Sequence, residues 1–249
     1  MPTHDEAHAA WQARLLTASF DPDACHDWPG RRCATIYLLG CPWRCVYCHN
    51  PRLQTRRRQS GGPDWGQISR ELESLRGEIS GVVFSGGEPT ADAALPEALA
   101  AVRAMGFPVG LHTSGAYPER LERVLPLLDW IGFDLKADYE GYEAVTATPG
   151  SAARATRSAR LVVASGVTHE FRLTWHHEAL NEDSARLAAH FAHHLGARHF
   201  VLQTFRREGV DNPALAAASE PPASLIRECA GLFGDAFTLR REICGLAGA

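Results

Sequence analysis

The chain has 249 residues, of which 45% are hydrophobic and 22% are charged, and its formal net charge at pH 7 is -4. This composition is typical of a folded globular protein and excludes a largely disordered chain. The acidic balance argues against broad binding to nucleic acid, and no apolar run reaches the roughly 18 residues that span a bilayer. We therefore expect a single domain whose partners are neither nucleic acid nor membrane.

Cysteine usage and the start of the chain indicate the cytoplasm. The first residues lack the basic and apolar segments of a secretory signal. The chain contains 7 cysteines, and an odd number in a chain of this length does not indicate a disulfide framework. In a reducing cytosol these thiols are available to bind metal.

Short apolar runs alternate with segments of helical period, which predicts repeated β-α units and a parallel sheet. The predicted strands are Ala34 to Leu39, Val82 to Ser85, Val109 to His112, Trp130 to Leu135, Glu170 to Thr174 and Phe200 to Gln203. The residues before Ala34 show no period. We interpret 1–33 as an N-terminal lead-in and 34–249 as one core domain that ends in a helix.

Helical spacing of apolar residues predicts the segments that cover this sheet. The predicted helices run from Ile68 to Ile79, from Pro118 to Leu128, from Glu182 to Leu195 with Gly196 ending it, and from Ala223 to Phe233. In the third, Leu187, Phe191 and Leu195 recur at four-residue steps. Six parallel strands with such helices form either an open doubly wound sheet or an incomplete (β/α) barrel, and periodicity does not separate the two.

Three cysteines follow the first predicted strand within eight residues. Cys41, Cys45 and Cys48 lie in a loop interrupted by Gly and Pro, which lets the chain curl around one metal centre. Thiolates select zinc or iron-sulfur clusters. Structural zinc needs a fourth ligand, such as His49 or Cys33, whereas a 4Fe-4S cluster held by three cysteines leaves one iron open for a substrate.

This C-x3-C-x2-C loop, with Tyr47 before the last cysteine, resembles the radical S-adenosylmethionine superfamily. The resemblance implies a 4Fe-4S cluster on Cys41, Cys45 and Cys48, whose open iron binds the amino and carboxylate groups of S-adenosylmethionine. It also implies that Tyr47 lies near the adenine. For the fold, the resemblance implies an incomplete parallel (β/α)6 barrel, that is, a partial TIM barrel with its site at the carboxyl ends of the strands.

A second motif follows the second predicted strand. Gly86, Gly87, Glu88 and Pro89 resemble the GGE motif of the same superfamily, which holds the methionyl amino group. From the residues alone, a pair of glycines at a strand end lets backbone approach a ligand closely, and a carboxylate accepts hydrogen bonds from an ammonium group. On its own the motif also fits an ordinary strand-to-helix turn.

Three later strand ends carry further candidate residues for S-adenosylmethionine. They are Thr113, Asp134, Lys136, Arg172 and Thr174. Ligands of parallel α/β folds collect at the carboxyl ends of the strands. Asp134 is suited to ribose hydroxyls or a cation, and Lys136 and Arg172 to the carboxylate. The alternatives are a surface ion pair for Asp134 and Lys136 and a snorkelling charge for Arg172.

The order C-x2-C-H-N-P, G-G-E-P and D-x-K resembles the branch that activates glycyl-radical enzymes. Within it, the LHTSGAYPERL and DLKA stretches and the segment Gln203 to Arg206 look closest to activating proteins of anaerobic ribonucleoside-triphosphate reductase. Pyruvate formate-lyase activating enzymes are the alternative. There a D-T-N-G turn contributes to a monovalent cation site, and His112 takes the place of its Asp. No cysteine lies between Leu53 and Gly81, so one cluster is expected.

The resemblance implies a radical oxidoreductase. Reductive cleavage of S-adenosylmethionine yields a 5′-deoxyadenosyl radical, which generates a glycyl radical on the reductase, with electrons from a flavodoxin- or ferredoxin-type donor. Two alternatives of other kinds are a radical enzyme acting on a small molecule or RNA, and a non-catalytic metal-binding module. The first of these is disfavoured, because the chain has no recognisable RNA-binding appendage and no extra cluster motif.

Other conspicuous residues receive a simpler interpretation. Arg56, Arg57 and Arg58 form either a solvated basic loop or a docking patch for an acidic partner. The histidines at 190, 193 and 194 lack the carboxylate or cysteine that would complete a metal site. Cys229 and Cys244 are interpreted as buried thiols, and core packing is the simplest role for Cys25 and Cys33.

Overall fold

The computed structural model describes residues 10–58, 60–215, 217 and 219–241. Its centre is one eight-stranded sheet whose strands lie side by side in chain order. They are β1 (Thr17–Asp21), β2 (Ala34–Leu38), β3 (Val82–Gly86), β4 (Val109–Thr113), β5 (Trp130–Leu135), β6 (Thr168–Trp175), β7 (Phe200–Thr204) and β8 (Phe237–Arg240). β1 runs antiparallel to β2, and each later pair of neighbours is parallel.

The strand order decides between the two predicted architectures. A doubly wound sheet reverses its strand order at a switch point, whereas this sheet never does. Within the described residues β1 and β8 remain two separate edges, so the sheet does not close. The predicted incomplete parallel barrel is therefore confirmed, with two strands more than predicted: β1 comes from the expected lead-in, and β8 follows the last predicted helix.

Helices fill the crossovers between the parallel strands. They are α1 (Trp65–Ser74), α2 (Leu95–Ala104), α3 (Pro118–Val124), α4 (Tyr142–Thr146), α5 (Ser151–Ser165), α6 (Glu182–Leu195) and α7 (Ala223–Phe233). Asp64 begins α1 with a capping box to Gln67, and Gly196 ends α6 in the left-handed region, as predicted. None of the helices within the described ranges combines the length and apolar character needed to cross a bilayer.

Two predicted helices are shorter than expected and one packs through different residues. α1 ends before Leu75, and Ile79 lies beyond it; α3 stops at Val124 and continues as a short 3-10 turn. In α6 the buried residues are Ser184, Ala185, Ala188, Ala189 and Ala192, whereas Leu187 is 56% exposed. Small side chains let this helix approach the sheet closely, and Phe191 and Leu195 of the predicted spacing pack partly buried against the same core.

The outward face of the sheet forms the main core. Phe84, Leu111, Phe133 and Phe171 are fully buried and belong to one apolar cluster with residues of the covering helices. Because strand residues alternate between faces, their neighbours along each strand point to the inside of the curved sheet. That inner face carries the polar residues from which a site can be built.

The segment before β2 forms the floor of the curved sheet. Trp28 is 5% exposed and stacks on Trp130 of β5 with ring centroids 5.4 Å apart. A Cβ on Gly110 would come within 2.9 Å of the Trp28 ring, so glycine at that inner position leaves room for the indole. The residues interpreted as a lead-in thus fill the end of the barrel opposite the strands' carboxyl ends.

We expect Trp28→Ala to lower the free energy of unfolding of the metal-free protein by about 3–5 kcal/mol, because it empties the floor of the barrel. Urea unfolding followed by circular dichroism measures this. Leu187→Ala is the matched control, because that side chain is 56% exposed and its removal should change stability by no more than about 0.5 kcal/mol. An effect of Trp28→Ala as small as that of the control would contradict the assigned floor.

Candidate active site

A cavity of about 1190 Å³ opens at the carboxyl ends of the parallel strands. Most of the residues predicted from the sequence line it: Cys41, Cys45, Tyr47, Cys48, Gly86, Gly87, Thr113, Asp134, Lys136, Arg172 and Thr174. The two predicted residues that do not line it are Glu88 and Pro89, both buried beside it. The curved sheet thus brings residues from five strand ends to one place.

The cysteine loop, residues 40–50, follows β2 and is held mainly through its backbone. Gly40 donates its N–H to the Leu53 carbonyl at 2.7 Å, and Val46 donates to the Val145 carbonyl of α4 at 2.9 Å. On a third side, the Asn212 side-chain amide donates to the Val46 carbonyl at 3.2 Å. The loop is thus held by backbone hydrogen bonds rather than by its thiols, and none of the three thiols forms a disulfide.

The glycines of the second motif bring two backbones together. A Cβ on Gly86 would overlap the Leu38 backbone of β2, and one on Gly87 would come within 2.6 Å of the Gly40 carbonyl oxygen. The Gly87 and Glu88 N–H groups donate to the carbonyls of Leu38 and Gly40 at 3.0 and 2.9 Å. The space that the sequence analysis assigned to a ligand is therefore taken partly by protein backbone, although both glycines also border the cavity.

Glu88 is 1% exposed and its carboxylate has donors from its own chain. Oε1 accepts from the Thr90 and Thr113 hydroxyls at 2.6 and 2.7 Å, and from the Thr90 N–H at 3.2 Å. Oε2 accepts from the Ser114 N–H and hydroxyl at 2.9 and 2.6 Å. Five donors approach the capacity of a carboxylate. In this structure Glu88 joins the ends of β3 and β4, behind Thr113 and Ser114.

Asp134, Lys136 and Arg172 form one charged group in the cavity wall. The Arg172 Nε and the Lys136 Nζ donate to opposite oxygens of Asp134 at 2.8 and 3.3 Å. The ion pair given as the alternative for Asp134 and Lys136 is therefore present, but the side chains of Arg172 and Lys136 are only 9% and 13% exposed, so neither cation lies on the open surface. Two cations around one carboxylate leave a net positive charge, which suits an anionic ligand group.

The pKa values of Asp134 and Lys136 keep both of these side chains charged. Burial acts to raise the pKa of Asp134, but Arg172 and Lys136 outweigh it and hold that pKa below its usual range. Burial acts to lower the pKa of Lys136, but Asp134 outweighs it and raises that pKa well above normal. The Lys136 ammonium also lies 5.5 Å from the centre of the Tyr47 ring, in cation-π contact.

His112 lies beside this group on β4. Its Nε2 is 2.6 Å from the Asp27 carbonyl oxygen, and its Nδ1 is 3.2 Å from the Ser85 hydroxyl. A neutral ring with its proton on Nε2 satisfies both partners. Burial, reinforced by the Arg172 guanidinium 3.2 Å from Nε2, lowers the pKa of His112 to about 4.

The cavity is also lined by Asp27 and Arg240, which the sequence motifs do not predict. Asp27 accepts from the Thr35 and Tyr37 hydroxyls at 2.7 and 3.1 Å. Arg240, on the unpredicted β8, makes a two-pronged ion pair with Glu170 at 3.0 Å on each prong. β8 is four residues long and gives too short a pattern to predict, and Asp27 precedes the first predicted element.

The cysteines that were not selected have structural surroundings. Cys33 is fully buried and its thiol donates to the Ala24 carbonyl at 2.9 Å. Cys229 is also fully buried, and burial raises its pKa to about 11. Their predicted core roles are confirmed, whereas Cys25 is exposed and unpaired. Cys244 lies outside the described residues.

Arginines of the basic loop and His190 of α6 form ion pairs or hydrogen bonds with other residues of the same chain. Arg56 pairs with the buried Asp92 at 3.0 Å, and Arg58 donates to the Leu15 carbonyl at 3.4 Å. These contacts therefore argue against a docking patch made of all three arginines. His190 bonds Glu228 at 2.8 Å, at the solvated helix face that the sequence predicts.

The wall of the cavity fits an iron-sulfur cluster and S-adenosylmethionine. The three free thiols of one loop face the same space, and the Tyr47 hydroxyl is buried there with no hydrogen-bond partner among the described residues. Burial, aided by the nearby Glu88, raises the pKa of Cys41 to about 12, so cluster binding has to displace a proton from this thiol. The described residues contain no cluster of three His, Cys, Asp or Glu side chains suited to one metal ion. A cubane does not need one, because each thiolate binds a different iron.

Comparison with known proteins identifies the family. The sequence profile of the radical SAM superfamily, where SAM is S-adenosylmethionine, matches residues 35–191. The chain therefore belongs to the radical SAM superfamily, as its motifs predict, and its cofactors are a 4Fe-4S cluster and S-adenosylmethionine.

Two curated relatives and one solved structure define the likeness further. A protein of Methanocaldococcus jannaschii named as a glycyl-radical enzyme activating enzyme is 32% identical over 120 residues, 47% of this chain and 48% of the relative. The pyruvate formate-lyase-activating enzyme of Streptococcus mutans is 26% identical over 125 residues, 44% and 46% of the two chains. These relatives support the predicted activating branch, although each match spans about half the length of the relative.

The crystal structure of methylornithine synthase has the same fold. It superposes with a TM-score of 0.62 over 96% of this chain and 72% of that chain, at 15% sequence identity. Sequence identity this low supports a shared architecture and nothing further. The partial barrel of this chain is thus the architecture of that solved enzyme.

We expect acid to destabilise the metal-free protein through His112. The folded-state pKa is about 4, whereas an unfolded histidine has a pKa of about 6.5. Between these values only the unfolded state binds the proton, so the free energy of unfolding falls as the pH is lowered from 6.5 to 4, by at most about 3 kcal/mol from this group.

Urea unfolding of the wild type and of His112→Gln at pH 7.5, 6.5, 5.5 and 4.5 measures this contribution. The variant should lose less stability across the range than the wild type. Near-ultraviolet circular dichroism at pH 7.5 checks that the variant keeps its packing. Parallel losses in the two proteins would mean that His112 is not held neutral by its surroundings.

Proposed function

We propose that this protein is an activating enzyme that generates a glycyl radical on a partner enzyme. The observation that carries the proposal is the cavity that unites the three thiols of the cysteine loop with the Asp134, Lys136 and Arg172 group. The similarity to an activating enzyme of Methanocaldococcus jannaschii supports it, at 32% identity over 120 residues.

Each part of the cavity wall has a role in this proposal. Cys41, Cys45 and Cys48 would hold the cluster, and Tyr47 would lie against the adenine. The net positive charge around Asp134 would attract the carboxylate of S-adenosylmethionine, as charge-assisted hydrogen bonds do. When bound, the two cofactors supply a 5′-deoxyadenosyl radical by one-electron cleavage of the sulfonium.

The remaining predicted residues would complete the S-adenosylmethionine site. Gly86, Gly87 and Thr113 border the cavity beside the cysteine loop, and Thr174 borders it from β6. Glu88 and Pro89 support them from behind, since Glu88 accepts hydrogen bonds from Thr113. The task of all these residues is to orient the ligand and to exclude water and other hydrogen donors from the reacting atoms.

The partner that we propose is anaerobic ribonucleoside-triphosphate reductase, because the LHTSGAYPERL and DLKA stretches resemble its activating proteins. Pyruvate formate-lyase is the second candidate, because the Streptococcus mutans enzyme that activates it is 26% identical over 125 residues. A flavodoxin- or ferredoxin-type protein would supply the electron. The cytoplasm is part of the proposal, since its reducing conditions keep thiols available for metal.

Substitution of one cluster cysteine tests the cofactor site. After oxygen-free reconstitution with iron and sulfide, Cys45→Ala should form no 5′-deoxyadenosine from S-adenosylmethionine and dithionite, because the cluster loses a ligand. Cys229→Ala should keep most of the wild-type rate, since Cys229 lies on the buried face of α7 and does not line the cavity. Chromatography of the products measures both. Equal loss in the two variants, or no product from the wild type, would favour a non-catalytic metal-binding module.

Electron paramagnetic resonance tests the partner. The reconstituted protein, S-adenosylmethionine and a reductant are mixed with purified anaerobic ribonucleoside-triphosphate reductase or with pyruvate formate-lyase. We expect a glycine-centred doublet on the reductase. A doublet on pyruvate formate-lyase alone would reverse the ranking, and 5′-deoxyadenosine without a radical on either protein would point to a different substrate.

A further inference from the structure

The residues that line the cavity fall into two groups, one inside and one beyond the part of the chain that the superfamily profile matches. The cysteine loop and the ends of β3 to β6 lie within residues 35–191, the part that the superfamily profile covers. The wall formed after β7 and at the end of β8 lies beyond it and includes Gln203, Arg206, Arg240 and Arg241. This second wall therefore lies outside the part of the chain that the superfamily profile matches.

The charge of the cavity is opposite to that of the chain. The chain carries a formal charge of -4, but the cavity is lined by Arg52, Lys136, Arg172, Arg206, Arg240 and Arg241 and by only three carboxylates, Asp27, Asp134 and Asp211. A cleft lined by one sign of charge concentrates ligands of the opposite sign. The carboxylate of S-adenosylmethionine would account for the group around Asp134 but not for the second wall.

Most of the cations of the second wall have carboxylate partners. Arg240 is paired with Glu170 at 3.0 Å, and Arg241 lies 3.3 Å from Glu220. For Arg206, no ion pair or side-chain hydrogen bond is found within the described part of the chain. Its guanidinium borders the cavity and retains its hydrogen-bond donors for a ligand.

The backbone around Arg206 is anchored on both sides. The preceding Phe205 is 9% exposed and packs between the rings of His49 and His176, at 5.4 and 4.9 Å. On the other side, a Cβ on Gly209 would overlap the His49 carbonyl oxygen, so glycine allows this loop to lie against the cysteine loop. Anchoring of this kind reduces the backbone entropy that this loop loses when it binds a ligand.

We propose that Arg206 binds a carboxylate side chain of the partner polypeptide, close to the residue that is to become the radical. An arginine presents a fork of N–H donors that matches a carboxylate. The two other arginines of the second wall, Arg240 and Arg241, are largely neutralised by Glu170 and Glu220. This wall therefore suits one carboxylate rather than a polyphosphate. The inference rests on the proposed function, because it assumes that the substrate is a polypeptide.

Peptide binding tests the inference without turnover. Two fluorescein-labelled peptides are compared, one with the central sequence Glu-Ala-Gly-Ala-Glu and one with Gln-Ala-Gly-Ala-Gln. Fluorescence anisotropy is measured without oxygen on the reconstituted full chain with S-adenosylmethionine and no reductant. We expect the Glu peptide to bind at least about tenfold more tightly, as a charge-assisted bond to arginine predicts.

Two variants locate the effect. Arg206→Gln should abolish the preference for the Glu peptide, whereas Arg207→Gln should keep it, because Arg207 is the exposed neighbour that does not border the cavity. The affinity for S-adenosylmethionine, measured by equilibrium dialysis, should be the same in both variants. Retention of the preference in Arg206→Gln would overturn the proposal.

Three other outcomes would also overturn the proposal. They are equal binding of the two peptides by the wild type, a loss of S-adenosylmethionine affinity in Arg206→Gln, and displacement of the Glu peptide by tripolyphosphate at a lower concentration than by the unlabelled peptide. The last would assign the wall to a phosphorylated small molecule. A preference for the Glu peptide in a protein that forms no 5′-deoxyadenosine would instead contradict the proposed function alone.

Discussion

The close approach of two backbones at the ends of β2 and β3 is the constraint on which the rest of the site depends. Side chains at 86 and 87 would occupy the space of Leu38 and Gly40, so the cysteine loop can begin where it does only because both residues are glycine. The hydrogen bonds from Gly87 and Glu88 to the same backbone then hold the loop against the sheet. With its base held in this way, the loop presents three thiols to the cavity.

The inner face of the curved sheet buries charged side chains, and these need partners of opposite charge. Arg172 lies over Gly132, where a Cβ would come within 2.8 Å of its guanidinium carbon, and its charge is balanced by Asp134 at 2.8 Å. Arg240 is balanced by Glu170 in the same way. Burying an unpaired charge is costly, so these pairs make a polar interior tolerable, and glycines on the strands provide the room for large side chains.

The sequence predicts which residues form the chemical centre of the site better than it predicts which distant segments enclose that centre. Cys41, Cys45 and Cys48 are close in the chain, so their convergence needs no knowledge of the fold, and Asp134 and Arg172 were found because parallel strands share one carboxyl edge. The floor made by Trp28 and the ion pair of Arg240 depend on contacts between distant segments, which no local period records. Glu88 illustrates a different difficulty: its residue type suggests a ligand group, but its hydrogen bonds come from Thr113 and Ser114.

The division of the chain at residue 191 has a consequence for specificity. The superfamily profile covers β2 to β6, the strands whose ends carry the candidate cofactor residues. β7 and β8 lie beyond it and extend the same sheet by parallel pairing, so they add a wall to the cavity without moving those residues. Since hydrogen bonds between strands use backbone atoms, a side chain that follows a strand and has no ion pair within the described residues, such as Arg206, can change while the sheet and the cofactor wall stay the same. Under the proposed function, the residues that select a partner could therefore change without any change in the cofactor residues that precede them.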